Sequence, residues 1–227
     1  MSLKNFIKEL KGNRVEGELL KTIFYSLLTS FATLGLLYLI MPDIIESSIP
    51  KYGFFIFFAA IGIALILPSI RQVRAHKQFS CMSGMMIGMT DGMVAGFLLG
   101  YIIGATNGMF IGGVFGMVIG SVLGIWMGSC CGVMGFMEGI MAGFMGGLMG
   151  AMTSVMLLND NLKLATIIIV IFLGIISFSL NYMIFLETKD RDRQLKESQK
   201  SVIVITFILM ILTLLVMFFG PRSALGI

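Results

Sequence analysis

The chain has 227 residues, of which 57% are hydrophobic and 12% charged, and its mean hydropathy is +0.98. No water-soluble core needs so much apolar sequence, so the composition excludes an ordinary soluble domain and predicts an all-α, polytopic membrane helix bundle. The net charge of +4 does not indicate nucleic-acid binding, because the basic residues lie in short segments between apolar runs, where they set membrane topology.

The chain begins with a charged segment, residues 1–22, and two apolar runs follow it. Its composition predicts a short amphipathic helix on the cytoplasmic membrane surface, and no small-residue cleavage site of a secretory signal follows the first run. The first two transmembrane helices are predicted within residues 23–70, at about 23–41 and 53–70. A polar loop, 43–52, is expected between them, and a basic loop, 71–80, after them.

Residues 81–157 form a Gly/Met-rich unit. Thirteen glycines occur at every fourth position from Gly84 to Gly132, and fifteen of the twenty methionines lie between Met82 and Met156. Glycine costs a soluble helix about 1 kcal/mol per residue, but in lipid small residues let helices pack closely. One straight helix of this length would extend about 115 Å against a hydrocarbon core of about 30 Å.

The unit therefore predicts three helices, about 82–104, 108–127 and 133–157, with turns at their least apolar points. Glycines four apart form a slowly wrapping groove on one helix face, so these helices are expected to pack as a glycine zipper. The packing residues are Gly84, Gly88, Gly92, Gly96, Gly100, Gly139, Gly143 and Gly147.

The last two transmembrane helices are predicted within 164–219, at about 164–186 and 201–219, joined by a charged cytoplasmic loop, 187–200. With seven helices and an inside N-terminus, the segments 1–22, 71–80 and 187–200 hold thirteen Lys or Arg, and the outer segments hold three. Positive charge favours the cytoplasmic side. The split therefore predicts seven crossings of the cell membrane, with a cytoplasmic N-terminus.

Two carboxyl groups, Asp91 and Glu138, are expected inside the membrane, where charged groups are costly and commonly mark an ion or substrate pathway. Each is predicted to be protonated, hydrogen-bonded or facing a cation. They open two similar sequences, Asp91-Gly-Met-Val-Ala-Gly and Glu138-Gly-Ile-Met-Ala-Gly, and Asn107-Gly-Met-Phe-Ile-Gly resembles both. Duplication of a short unit and low sequence complexity both explain this pattern.

Methionines recur at one-turn intervals on the third and fifth predicted helices. Thioethers are soft, uncharged ligands that suit Cu(I) or Ag(I), so a ladder of them can pass a soft cation between weak sites. Methionine is also an adaptable packing residue, and that interpretation stays open. The candidate metal ligands of the fifth helix are Met137, Met141, Met145, Met149, Met152 and Met156.

Three thiols, those of Cys81, Cys130 and Cys131, are expected to converge at the cytoplasmic helix ends, with His76 just outside. Thiols at one mouth of a methionine-lined path would bind a soft metal more tightly than the thioethers do. The spacing matches no zinc motif. Three cysteines also do not form a disulfide framework.

Methionines four apart beside GxxxG packing, at Met137, Met141, Met145 and Met149, resemble the motif pair of the Ctr-type copper transporters. In that family such methionines form the selectivity filter of a trimer with three helices per subunit, whereas seven helices are predicted here. The resemblance is limited to about 75 residues and implies Cu(I) as a transported substrate, with no permanently bound cofactor. The region also resembles uncharacterised Gly/Met-rich membrane proteins of Gram-positive bacteria, which implies no function.

No P-loop, GxSxG, HExxH or dinucleotide fingerprint is present, so an enzyme is not expected. Three functions remain. The first is a transporter or channel for a soft monovalent cation such as Cu(I), running past the methionines and carboxyls to the cysteines. The second is a proton or alkali-cation channel or coupled transporter that uses Asp91 and Glu138. The third is a non-catalytic membrane subunit whose glycine grooves receive partner helices. For the chain as a whole, the expected partners are the lipid bilayer and either further copies of the chain or a partner membrane subunit.

Overall fold

The computed structural model of the protein describes residues 17–40, 42–75, 79–188 and 199–221. Within these ranges the chain forms seven α-helices and a single-turn 3-10 helix, without a strand. Every one of these helices is long and apolar enough to cross a membrane, so the predicted all-α polytopic bundle is confirmed. The helices are α1 (Gly17–Ile40), α2 (Pro42–Ala75), α3 (Cys81–Asn107), α4 (Met109–Gly128), α5 (Val133–Met156), α6 (Leu162–Thr188) and α7 (Gln199–Phe219).

Helix α2 is longer than predicted. The expected polar loop at 43–52 is helical, and the helix continues through Arg71 to Ala75, so its 34 residues extend about 51 Å. Only Tyr52–Ala75 has the composition of a membrane span. Polarity marks where a chain leaves the membrane, but a helix can continue into water. The predicted surface helix near the N-terminus falls mainly outside the described residues.

Two glycines with positive φ shape the turns of the Gly/Met-rich unit. Gly108, with φ 106°, is the single residue between α3 and α4. Gly132, with φ 67°, joins the 3-10 helix Ser129–Cys131 to α5. Residues with a side chain rarely adopt these conformations. The unit therefore folds as three tightly connected helices whose ends lie close to the predicted ones.

Helices α3, α4 and α5 contact one another through their backbones. A Cβ atom added to Gly96 would lie 2.8 Å from Gly143 O, and one added to Gly120 would lie 2.7 Å from Gly96 Cα. These separations are shorter than real Cβ contacts, so a side chain at either position would collide with the neighbouring helix. The absence of side chains is what allows three helices to pack this closely.

Helices α3 and α5 run parallel and in register. A Cβ atom added to Gly92 would lie 3.2 Å from Gly139 O, and one added to Gly100 would lie 2.5 Å from Gly147 O. Both pairs are 47 residues apart (139 − 92 and 147 − 100). The two similar sequences that begin at Asp91 and Glu138 therefore lie side by side at the same depth.

The other helices pack around α2 and α3. Helix α1 contacts α2 and α7, while α6 and α7 both contact α2 and α3. Helix α5 packs principally against α3 and α4, so its remaining surface faces outward. The apolar core between α2 and α3 includes Ile63, Leu67, Leu98, Leu99 and Ile102, each with at most 2% of its surface exposed.

Side-chain contacts fix which helix ends lie together. At one end, Arg74 lies over the Trp126 ring, 4.9 Å from its centroid, and Ser80 N donates to Glu187 Oε1 over 2.7 Å. At the other end, Asn107 Nδ2 donates to the carbonyl oxygens of Val216 and Gly220, over 3.0 and 3.1 Å. The first end is called the basic side here, because the segments 1–22, 71–80 and 187–200 join the bundle there.

We expect the basic side to be cytoplasmic and the C-terminus to be outside, because thirteen of the sixteen Lys and Arg residues belong to these three segments. Topology reporters fused after residue 227 and inserted in the 187–200 segment would measure this. An outside signal from the 187–200 segment would contradict the predicted orientation.

Candidate functional site

The Asp91 carboxyl lies at the interface between α3 and α2. The Asp91 residue is only 4% exposed, and it lies ten residues, or about 15 Å, from the start of α3 on the basic side. Its Oδ1 atom is 2.7 Å from Ser69 Oγ. Its Oδ2 atom is buried and has no hydrogen-bond partner among the residues that the structure describes. Asp91 is therefore an intramembrane carboxyl with one oxygen hydrogen-bonded and one buried without a hydrogen-bond partner in the described part of the chain.

Ser69 Oγ lies within hydrogen-bonding distance of two oxygens. This oxygen is 2.7 Å from Asp91 Oδ1 and also 2.7 Å from the carbonyl oxygen of Ile66. A hydroxyl has one proton, and a carbonyl oxygen can only accept. Both short contacts are satisfied together if Ser69 donates to Ile66 O and a protonated Asp91 donates to Ser69 Oγ. The geometry therefore fits the neutral, protonated form of Asp91.

Further buried polar side chains lie on α1, α6 and α7, the helices packed around α2 and α3. Ser26, Asn181 and Thr206 are each at most 6% exposed. In the described part of the chain, Ser26 Oγ and Asn181 Oδ1 have no hydrogen-bond partner. The helices packed around α2 and α3 therefore also bury polar groups.

The environment of Arg71 differs from that expected in the predicted basic loop, 71–80. Arg71 lies inside α2, is 3% exposed, and its Nη1 atom donates to Thr22 Oγ1 over 2.7 Å. Sequence reasoning missed both Arg71 and Ser69 as interior groups. The available signal was the heptapeptide Pro68–Arg74, in which polar residues directly follow an apolar run without a glycine that would end the helix.

The structure does not bring Glu138 and Asp91 together in one chain. Asp91 faces α2, whereas Glu138 is exposed on the outward side of α5, although the contact between Gly92 and Gly139 places them at the same depth. No hydrogen bond to the Glu138 carboxyl occurs within the described ranges. The two carboxyls therefore have separate environments.

The methionine ladder of α5 faces outward instead of lining an interior path. Its neighbour α3 presents four exposed methionines, and a Cβ atom added to Gly146 of α5 would lie 2.6 Å from Met93 O of α3. The two methionine sets therefore lie on adjoining parts of one surface. Met89 and Met93 also line an apolar groove of about 450 Å³ between α3 and α6. The exposed methionines of α5 are Met134, Met137, Met141, Met145, Met149, Met152 and Met156, and those of α3 are Met82, Met86, Met89 and Met93.

Two of the three cysteines can be placed. Cys81 starts α3 and Cys130 lies in the turn after α4, so both are at the basic side, and both are exposed. The side chain of Cys131, and all of His76, lie outside the described residues. Within the described ranges, no three His, Cys, Asp or Glu side chains are grouped closely enough to hold a metal ion.

No protein-family model, curated protein or solved structure matches this chain. Two regions of the chain carry groups with distinctive chemistry, the buried Asp91–Ser69 pair and the outward methionine surface with Glu138.

Proposed function

We propose that the protein is a membrane transporter or channel for a proton or small alkali cation, with Asp91 as the ion-binding group. The position of Ser69 Oγ between Asp91 Oδ1 and Ile66 O supports this proposal, because it fits a proton held on a buried carboxyl. A carboxyl that exchanges its proton inside a membrane is the usual basis of proton-coupled transport.

The chemistry of the site favours a hard ion. Carboxylate and hydroxyl oxygens suit protons and hard cations, whereas thioether sulfur suits soft metals. When Asp91 loses its proton, both of its oxygens become acceptors, and the buried Oδ2 has no hydrogen-bond partner among the described residues. Buried polar side chains also lie on α1, α6 and α7, at Ser26, Asn181 and Thr206.

The test is ion flux through vesicles that contain the purified protein, comparing the wild type with Asp91→Asn for protons, Na⁺ and K⁺. Wild-type flux above that of protein-free vesicles, lost in the variant, is the result that supports the proposal. Equal flux in both proteins would contradict the role of Asp91.

The adjoining methionine sets favour a second candidate, transport of a soft monovalent cation such as Cu(I). Thioethers spaced one turn apart along the whole of α5 offer weak, repeated soft sites. Because this surface faces outward, one chain does not enclose such a path, and neighbouring copies would have to close it. Cu(I) is then the transported substrate, and the exposed Cys81 and Cys130 thiols bind it at the basic side.

Replacing Met141, Met145 and Met149 together by Leu tests this candidate. The swap keeps apolar character and nearly the volume, so it usually costs under about 1.5 kcal/mol per site. Because all three methionines are exposed, we expect the substitutions to change the yield of folded protein little. If the surface carries Cu(I), Ag(I) accumulation by cells that express the variant should fall sharply while the protein remains assembled. Wild-type Ag(I) accumulation would exclude the soft-cation function.

A further inference from the structure

Two buried amide side chains, those of Gln72 and Asn181, take no part in the Asp91–Ser69 pair. Gln72 of α2 is 0% exposed, and Asn181 of α6 is 6% exposed. Asn181 Nδ2 donates to Ser177 O of its own helix over 2.7 Å, whereas Asn181 Oδ1 is buried and has no hydrogen-bond partner among the described residues. A polar atom buried without a partner is costly, above all in hydrocarbon. Asn181 Oδ1 can therefore accept a hydrogen bond from water.

Gln72 and Asn181 lie opposite each other across the interface between α2 and α6. These two helices are parallel, since both run towards the basic side and end there. A Cβ atom added to Gly174 of α6 would lie 3.7 Å from Leu65 Cδ1 of α2. Asn181 and Gln72 each lie seven residues beyond this contact (181 − 174 and 72 − 65). Seven residues turn a helix through about 700°, close to two full turns, so the two amides repeat the contact nearer the basic side.

Gln72 also continues the Asp91–Ser69 pair along α2. Residues three apart are neighbours on one side of a helix, so Gln72 lies beside Ser69 and about 4.5 Å nearer the basic side. Ser69 Oγ is in turn 2.7 Å from Asp91 Oδ1. The span Tyr52–Ala75 ends three residues after Gln72. The carboxyl, the hydroxyl and the two amides therefore form a polar column that extends from Asp91 towards the basic end of α2.

Between Asp91 and the other side of the membrane, the α2–α3 interface is apolar and tightly packed. Leu98 lies seven residues beyond Asp91, on the same side of α3. Leu98 and its neighbours Ile63 and Leu67 of α2 are each at most 2% exposed. A Cβ atom added to Gly62 of α2 would collide with the Leu98 side chain. Close-packed apolar side chains leave little space for water, so the polar column continues from Asp91 towards the basic side only.

We propose that Gln72 and Asn181 bind water between them and so connect Asp91 to the basic side, with which its proton exchanges in this structure. Asn181 Oδ1 accepts a hydrogen bond from this water, and the Gln72 amide offers both a donor and an acceptor. In the exchange the Asp91 O–H bond breaks and a new O–H bond forms on water, which leaves a carboxylate. A proton from the basic side reverses the step. This inference rests on the proposed function and names the side with which its site exchanges.

Infrared spectroscopy of the purified protein in lipid measures this exchange. The carbonyl band of a protonated carboxyl shifts when H₂O is replaced by D₂O, and the band of Asp91 is the one that Asp91→Asn removes. Asn181→Leu nearly keeps the volume but removes the amide, so we expect the shift to become severalfold slower. Asn181→Ser keeps a polar group and should exchange at nearly the wild-type rate. The matched control is Thr166→Val, which removes a buried hydroxyl from the opposite end of α6 and should leave the rate unchanged.

Gln72→Leu tests the same column from α2 and should also slow the exchange. Wild-type rates in both Leu variants, equal slowing by Thr166→Val, or the absence of a band that Asp91→Asn removes would overturn the proposal. Ion flux separates this inference from the proposed function. Slower exchange in Asn181→Leu without any wild-type flux would refute transport but keep the route, whereas flux that depends on Asp91 with unchanged exchange in the Leu variants would refute the route alone.

Discussion

Asp91→Asn should reduce ion flux to the level of protein-free vesicles without reducing the yield of folded protein. The amide of Asn has nearly the shape of a protonated carboxyl, and its Nδ2 can donate to Ser69 Oγ while Ser69 still donates to Ile66 O. Packing and hydrogen bonding at the α2–α3 interface are therefore preserved. Only the exchangeable proton and the negative charge are lost. Flux of protons, Na⁺ and K⁺ into vesicles measures the effect.

Ser69→Ala is the control for this experiment. It removes one hydrogen bond, with a net cost in stability of about 0.5–1.5 kcal/mol, but keeps the Asp91 carboxyl. We expect partial flux in this variant. A loss of yield in Asp91→Asn, with normal flux through the protein that remains, would show that Asp91 is needed for folding and not for transport.

Gly96→Leu and Gly143→Leu should strongly destabilise the protein. A Cβ atom at Gly96 would already lie 2.8 Å from Gly143 O and 3.0 Å from Gly147 N, and one at Gly143 would collide with the backbone of Gly120 and Ser121. A Leu side chain adds three more carbon atoms where backbone meets backbone. Overpacking typically costs about 1–3 kcal/mol, and here the helix backbones themselves must separate.

Gly35→Leu is the matched control, because a Cβ atom at Gly35 of α1 would have no neighbouring atom within 4 Å. The temperature of aggregation in detergent should fall clearly for the two variants of the three-helix unit and hardly for Gly35→Leu. Equal aggregation temperatures for all three variants would contradict the importance of glycine packing.

The number and placement of the helices could be predicted because the membrane sets the length of an apolar helix. A 77-residue apolar region cannot be one span, and the turns fall where the sequence is least apolar. The continuation of α2 through 43–52 and Arg71 could not be predicted in this way. Polarity indicates where a chain meets water, and it does not indicate where backbone hydrogen bonding stops.

The candidate site was harder to predict because it depends on rotation about each helix axis. The sequence identified Asp91 and Glu138, but not that one faces α2 and the other faces outward. Part of the orientation of α5 could have been predicted from helix geometry. At 100° per residue, Met141 lies about 200° from Gly143, so a methionine ladder and a glycine groove on one helix cannot face the same neighbour. The Ser69–Asp91 contact joins residues on different helices, which periodicity within one helix cannot reveal.

The backbone contacts of α3, α4 and α5 also restrict how the protein can move. Side chains that interdigitate can change rotamer and let helices slide, but glycine faces have no rotamers, and a small displacement brings peptide groups into collision. Such packing favours movement of the three helices as one body. If Asp91 is to face first one side of the membrane and then the other, the hinge or shear would lie at the interface between these helices and α2, and the Ser69–Asp91 contact would have to break.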